Sequence, residues 1–133
     1  MPSPVARSRT RAFHHQSGRC FYCHCPMWEQ SMEAFAATFH LSAQQARHLQ
    51  CTAEHLHARV DGGDNAQSNI VAACRYCNAG RHHRKVARDA AHHKEYVERL
   101  MRCRRWHASW VFEKRLYSGG AANTTSKVAS YRI

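Results

Sequence analysis

The sequence has no long run of apolar residues. No segment reaches the roughly 18 consecutive apolar residues that a membrane-spanning helix requires, so we expect no membrane association. The first residues, MPSPVARSRTRAFHHQ, have no apolar stretch like the core of a signal peptide. We therefore expect a cytoplasmic protein.

Acidic side chains are also scarce. The chain has 133 residues, with 9 acidic residues against 20 Lys and Arg, which gives a formal net charge of +11. Sixteen of the 20 basic residues are Arg, whose planar guanidinium matches the geometry of phosphate. This balance predicts a polyanionic partner, most simply nucleic acid.

The charges are unevenly distributed along the chain. Residues 20–74 carry two Arg and five acids, whereas residues 75–115 carry twelve basic and four acidic residues. An acidic stretch in a basic chain is what a cation site beside bound phosphate would look like, although chance would also produce it. We predict a flexible basic arm at residues 1–12, one domain over 13–117 and a flexible, small and polar tail at 118–133.

The cysteines number seven, and an odd count without a signal peptide argues against a disulfide scaffold. Cys20-Phe-Tyr-Cys23 and Cys74-Arg-Tyr-Cys77 form two Cys-x-x-Cys pairs. Each pair can direct two thiolates at one ion, and two pairs complete a tetrahedral site, so we predict structural Zn²⁺. A ligand register shifted to Cys25 stays open, and redox thiols and buried core cysteines are competing interpretations of the same residues.

Hydrophobic periodicity and turn residues predict a small α+β fold. Ser42 followed by Gln45 resembles a capping box, and the Asp61-Gly62-Gly63 cluster predicts a turn between two short strands. The predicted elements are helices at 28–39, at 42–48, from about 78 onward and at 89–117, and strands at 51–56 and 69–73.

Four segments taken together resemble the HNH endonuclease family. They are Cys51-Thr-Ala-Glu-His-Leu-His, Asp61-Gly-Gly-Asp-Asn, Asn69-Ile-Val-Ala-Ala and Cys74-Arg-Tyr-Cys-Asn-Ala-Gly-Arg. The resemblance covers residues 50–83 closely and, with the first cysteine pair, reaches back to residue 20. It implies a ββα-metal finger, with its core motif at 50–88, stapled by the four-cysteine zinc site and extended by N-terminal and C-terminal helices.

The resemblance also implies metal-dependent hydrolysis of phosphodiester bonds in DNA. His55 would be the general base on water. Glu54 and Asn78 would hold Mg²⁺ or Mn²⁺, which would stabilise the leaving 3′-oxygen and give 5′-phosphate and 3′-hydroxyl ends. Asn69 would brace the loop that positions His55, and Arg81 would contact phosphate.

Two positions depart from the family pattern. Glu54 stands where Asp is commoner, and Asn78 stands where His is frequent. On a helix, His82 shares a face with Asn78, which makes it a candidate third ligand. His57 lies on the same side of a strand as His55 and is either a phosphate contact or a plain surface residue.

Sequence preference would have to come from outside the motif, because the family site holds phosphate rather than bases. The candidates are the N-terminal arm and the helix at 89–117, where Arg104 and Arg105 are expected to bind substrate. Trp106 and Trp110 either contact bases or fill the core. The expected partner is DNA, with RNA left open. A monomer would nick one strand, whereas a homodimer would cut both.

A non-catalytic, zinc-ribbon-like nucleic-acid binding module is the competing interpretation of the whole chain. It would explain the charge and the cysteines but would leave Glu54, His55 and Asn78 without a role. A thiol redox protein would need no zinc and would have no use for the positive charge.

Overall fold

A computed structural model describes residues 1–118. Within them lie six α-helices and a two-stranded antiparallel sheet. The helices are Pro4–His15 (α1), Met32–Phe39 (α2), Ala43–His48 (α3), Arg75–His82 (α4), Ala90–Arg102 (α5) and Ser109–Glu113 (α6), and the strands are Cys51–His55 (β1) and Ile70–Cys74 (β2). The predicted small α+β fold is confirmed.

The sheet and α4 form the centre of the fold. β1 pairs with β2 so that Cys51 lies opposite Cys74 and His55 lies opposite Ile70. α4 follows β2 without a loop, because the Cys74 sulfur accepts the backbone N–H of Cys77 at 3.4 Å and caps the helix. The helix therefore begins before Asn78, where the sequence predicted its start.

The predicted flexible arm at residues 1–12 is wrong, because most of it belongs to α1. Ser3 caps the helix by accepting the backbone N–H of Ala6 at 3.1 Å. At the other end, Phe13 is buried, and the Gln16 amide exchanges two hydrogen bonds, of 2.8 and 2.9 Å, with the backbone of Ala72. The helix is rich in Arg and buries one large apolar side chain, Phe13, so the sequence suggested an arm.

The predicted helix at 89–117 is two helices, α5 and α6, joined by a turn. Arg104 and His107 have left-handed φ angles of 57° and 68°, a conformation that ends a helix. The turn directs the side chains of Trp106 and His107 back toward the cysteine sulfurs. A continuous helix would have carried them away from the sulfurs.

The core lies between the sheet and the surrounding helices. Its largest fully buried side chains include Tyr22, Met27, Phe35, Leu49 and Met101. Trp106 and Trp110 are half-buried against this core. The predicted capping box of Ser42 and Gln45 is present at the start of α3.

The predicted tail at 118–133 lies outside the described residues from 119 onward. Among the helices of the described part, none is both long enough and apolar enough to cross a membrane.

Candidate active site and zinc centre

Four thiols converge at the junction of the first cysteine turn with β2 and α4. The sulfurs of Cys20, Cys23, Cys74 and Cys77 are buried and lie within 4.8 Å of one another. The sulfurs of Cys23 and Cys74 are 3.9 Å apart, near the separation of about 3.8 Å that a tetrahedral Zn²⁺ with bonds of about 2.3 Å imposes. The donor set therefore fits structural zinc, as the spacing of the two pairs predicted.

N–H groups point at these sulfurs, as expected around metal thiolates. The backbone N–H groups of Tyr22 and Cys74 each lie 3.3 Å from the Cys20 sulfur. The indole N–H of Trp106 lies 3.2 Å from the Cys77 sulfur. The C-terminal turn thus completes the surroundings of the thiols, which the sequence did not predict.

Cys25 belongs to a second group that shares Cys23. The ligand atoms of Cys23, Cys25 and His107 also lie within 4.8 Å of one another, and His107 Nε2 is 3.3 Å from the Cys23 sulfur. This group offers three ligand atoms, whereas the two matched pairs offer a full tetrahedron. The matched pairs are therefore the better zinc site.

Glu54, His55, Asn78 and His82 line one cavity of about 250 Å³. Glu54 and His55 are the last two residues of β1, and Asn78 and His82 lie one turn apart on α4. The antiparallel sheet and the helix that follows it bring together side chains that are up to 28 positions apart. Arg59, which the sequence did not single out, lines the same cavity.

Glu54 is buried although it is an acid, with 2% of its surface exposed. Its Oε2 accepts a hydrogen bond from the Tyr22 hydroxyl at 2.9 Å and lies 3.1 Å from Arg81 Nη1. Burial, together with the negative charge of Glu54, raises the pKa of Tyr22 well above its usual range, so the phenol remains a donor. The carboxylate is held through Oε2, while Oε1 lies 3.2 Å from His82 Nε2.

The position of Arg81 in the motif predicted a phosphate contact, but the structure does not place its side chain to make one. It is 3% exposed, and its guanidinium donates to the backbone oxygens of His55 at 2.8 Å, Leu56 at 3.0 Å and Arg88 at 2.9 Å. A buried carboxylate requires a cation beside it, and Arg81 supplies that charge to Glu54. The structure corrects its role to holding the acid and the end of β1.

His55 is half-buried at the end of β1 and contacts the turn that follows. Its Nε2 lies 2.9 Å from Oδ1 of Asn65. An amide oxygen only accepts hydrogen bonds, so this contact favours the tautomer of the neutral imidazole that carries its proton on Nε2 and has the lone pair on Nδ1. Asn65 was treated as a turn residue in the sequence, where nothing distinguished it from the neighbouring polar residues.

The loop after β1 is tied together by Asn69. Its Oδ1 accepts the backbone N–H of His57 at 2.8 Å, and its Nδ2 donates to the backbone oxygens of His57 at 3.0 Å and Asp64 at 2.8 Å. Gly63 packs so closely that a Cβ there would overlap the carbonyl oxygen of His57. These contacts bend the chain immediately after His55, the location at which the sequence predicted a brace.

Asn78 and His82 form the helical side of the cavity. Asn78 Nδ2 donates to Thr52 Oγ1 at 3.0 Å, which fixes the amide. Within residues 1–118, no hydrogen bond is made to its Oδ1, so this oxygen is available to a ligand. The His82 side chain is 37% exposed and faces Glu54. The cavity therefore offers a carboxylate oxygen, an amide oxygen and an imidazole nitrogen, a set that suits a divalent cation.

Three predicted substrate contacts lie elsewhere. His57 is exposed and does not line the cavity. Arg104 lies in the turn after α5, with its guanidinium 5.9 Å from the ring centre of Phe112, and lines a different cavity. Arg105 is exposed in the same turn. The structure does not bring these three to the acid and the histidine.

Comparison with protein families gives a match to the candidate site. The model of the family described as HNH endonuclease matches residues 37–84. This segment includes β1, β2, α4 and the five side chains named above as lining the cavity, whereas the first cysteine pair lies outside it. Searches of curated proteins and of solved structures return no match. The resemblance that residues 50–83 carried is confirmed.

Proposed function

We propose that this chain, which carries an HNH endonuclease domain at residues 37–84, is a metal-dependent endonuclease that hydrolyses phosphodiester bonds in DNA. The observation that carries the proposal is the single cavity lined by Glu54, His55, Asn78 and His82. The net charge of +11 supports a nucleic-acid substrate, and RNA is the competing substrate.

His55 is proposed as the general base. Its Nε2–H is directed at Asn65 Oδ1, which leaves the Nδ1 lone pair to accept a proton from water. The deprotonated water attacks the phosphorus and the bond to the 3′-oxygen breaks. The leaving 3′-oxygen takes a proton from solvent water, so the products carry a 5′-phosphate and a 3′-hydroxyl. Arg59, at the edge of the cavity, takes the phosphate-contacting role first expected of Arg81.

The residues proposed to hold a divalent cation are Glu54, Asn78 and His82. Two oxygens and one nitrogen leave room for water ligands, which Mg²⁺ and Mn²⁺ retain in proteins. When bound, such an ion acts as a Lewis acid that stabilises charge on the leaving 3′-oxygen. The chain's own contribution is to fix the ligands, through Tyr22 and Arg81 for the acid and through Thr52 for the amide.

The first test is cleavage of supercoiled plasmid by the zinc-loaded chain, with Mg²⁺ or Mn²⁺ and without added divalent cation. We expect nicked or linear product only with the cation. His55→Ala should lower the rate by about 10²- to 10⁴-fold. His15→Ala is the matched control, because His15 is an exposed histidine on α1, and it should cleave like the wild type.

Binding without cleavage would favour the non-catalytic zinc-ribbon-like module. In that case the wild type and His55→Ala would retard DNA equally, and no cation would produce cuts. A second, larger DNA must be included, because a site-specific nuclease would leave a plasmid without its target intact. Nicked product alone would support a monomer with one active site, whereas linear product formed directly would support a homodimer.

A further inference from the structure

A second cavity, of about 580 Å³, lies between α3 and α4. Its floor is apolar and aromatic, formed by Tyr76, Ala79 and Gly80 of α4 and by Trp106 of the turn after α5. A Cβ on Gly80 would lie 2.7 Å from the Trp106 ring, so the absence of a side chain lets the indole approach the helix. Cavities of this size and lining bind planar, largely apolar groups.

The rim of this cavity is basic. Arg47 of α3 and Arg75 of α4 line it, both with exposed side chains, together with His48 and His83. Among the described residues that line it there is no acid. A cationic rim above an aromatic floor is the arrangement with which proteins bind an unpaired base and its phosphate.

The two cavities share α4. Asn78 and His82 line the catalytic cavity, and Ala79 and His83, each one position later, line the second one. Consecutive residues are about 100° apart around a helix about 10 Å wide, so the cavities are separated by about 10 Å. Along a DNA duplex each strand advances about 3.4 Å of helix axis per nucleotide, so the two cavities lie within a few nucleotides of each other.

We propose that this second cavity, the base groove, binds one unpaired nucleotide of the DNA strand that is cleaved. The base lies on the floor formed by Tyr76, Ala79 and Trp106, and its phosphate is bound by Arg47 and Arg75. Bases inside a duplex are stacked and cannot reach a cavity, so the occupant is unpaired or extruded. The inference rests on the proposed nuclease function and deepens it, because it assigns a preference for DNA with an unpaired nucleotide within a few positions of the cut.

Fluorescence anisotropy with the full, zinc-loaded His55→Ala chain tests this binding separately from cleavage. The probes are a duplex with one unpaired nucleotide, the same duplex with an abasic residue at that position, and a fully paired duplex. The first two probes have the same phosphates, so their difference reports the base. We expect the abasic probe to bind about tenfold more weakly than the first.

Ala79→Glu adds a carboxylate to the floor at an exposed helical position. We expect it to weaken binding of the first probe about tenfold and to abolish the difference between base and abasic probes. Ala37→Glu, the same change at an exposed position on α2, should keep that difference and is the matched control.

If the His55→Ala chain without a groove substitution bound the base probe and the abasic probe equally, the proposal would be overturned. A concentration-dependent dimer that Ala79→Glu dissociates in sedimentation would also overturn it, because a second copy of the chain would then occupy the groove. Discrimination between the probes, with no cleavage of the plasmid, of the larger DNA or of the probe with an unpaired nucleotide by the chain with His55 intact, would refute the nuclease function and leave the groove as a nucleotide site.

Discussion

At the scale of single residues, the site depends on how one buried acid is held. Glu54 has its Oε2 between the Tyr22 hydroxyl and the Arg81 guanidinium, and its Oε1 toward the cavity. A carboxylate held on one side presents its other oxygen in a fixed direction, and such supporting contacts tune metal affinity. Tyr22 lies in sequence between Cys20 and Cys23 of the candidate zinc site, so the first cysteine turn contributes to both sites.

The ion pair of Glu54 with Arg81 leads to a prediction about stability. Arg81→Ala would leave the buried carboxylate without its cation, and we expect the free energy of unfolding to fall by about 3–5 kcal/mol. Urea denaturation followed by tryptophan fluorescence measures this change. Arg84→Ala removes an exposed guanidinium three positions later and should change stability little.

The result for Arg81→Ala also distinguishes the two roles that have been considered for this residue. If Arg81 contacted phosphate, its loss would weaken DNA binding and leave the unfolding curve in place. A variant that is as stable as the wild type but binds DNA poorly would contradict the structural role.

The sequence could predict the site residues whose side chains form a recognisable chemical pattern. The acid–histidine pair and Asn78 were predicted because few other functions combine them at that spacing, and they line one cavity. Arg81 was assigned the wrong partner because spacing gives a helical position but not its burial. Asn65 and Tyr22 were missed because an asparagine in a turn and a tyrosine in a cysteine loop have many commoner explanations.

At the scale of elements, the bend between β1 and the following loop determines where His55 lies. Asn69 ties the loop through three hydrogen bonds, Arg81 holds the carbonyls of His55 and Leu56, and Gly63 packs on the carbonyl of His57. The Gly-Gly turn and the asparagine brace were predicted from sequence. The arginine was not, because it approaches from α4.

Gly63 and Gly62 give a matched comparison within this bend. Gly63→Ala would force its Cβ into the His57 carbonyl, and we expect a loss of about 1–3 kcal/mol in stability together with slower cleavage. Gly62 has a left-handed φ of 93° but open space around it, so Gly62→Ala should cost about 1–2 kcal/mol from backbone strain alone. Thermal denaturation and the plasmid assay measure the two effects. Cleavage at the wild-type rate by Gly63→Ala would show that the bend does not position His55.

The elements that were predicted depend on neighbouring residues, whereas the elements that were missed depend on contacts between residues distant in sequence. The strand pair, α3 and the cysteine turns were predicted because turn residues, the capping box and the paired thiols are local features. The break between α5 and α6 was missed because Trp106 and His107 turn toward the sulfurs of Cys77 and Cys23, which are distant in sequence. The same applies to α1, whose docking depends on Gln16 reaching Ala72.

At the scale of the whole molecule, the cysteine centre joins parts of the chain that are distant in sequence and lies within the hydrophobic core. It receives ligands from the first turn and from the junction of β2 with α4, and the turn after α5 contacts it through Trp106 and His107. A domain of this size has a modest core, and structural zinc contributes directly to folding. The candidate active-site cavity is built on the same strands and helix, so we expect it to form only in the zinc-loaded chain.

Removal of zinc should therefore unfold the chain rather than only inactivate it. Structural zinc contributes about 10 kcal/mol or more in small domains, which is comparable with the whole stability of such a domain, about 5–15 kcal/mol. We expect a zinc-selective chelator in excess Mg²⁺ to remove about one ion per chain, to lower the helical signal in circular dichroism and to abolish cleavage. Cys77→Ser should bind less zinc and fold poorly, whereas Cys103→Ser, at the exposed cysteine, should match the wild type. If Cys77→Ser kept full zinc and a native melting curve, the four-cysteine centre would not be what holds these elements together.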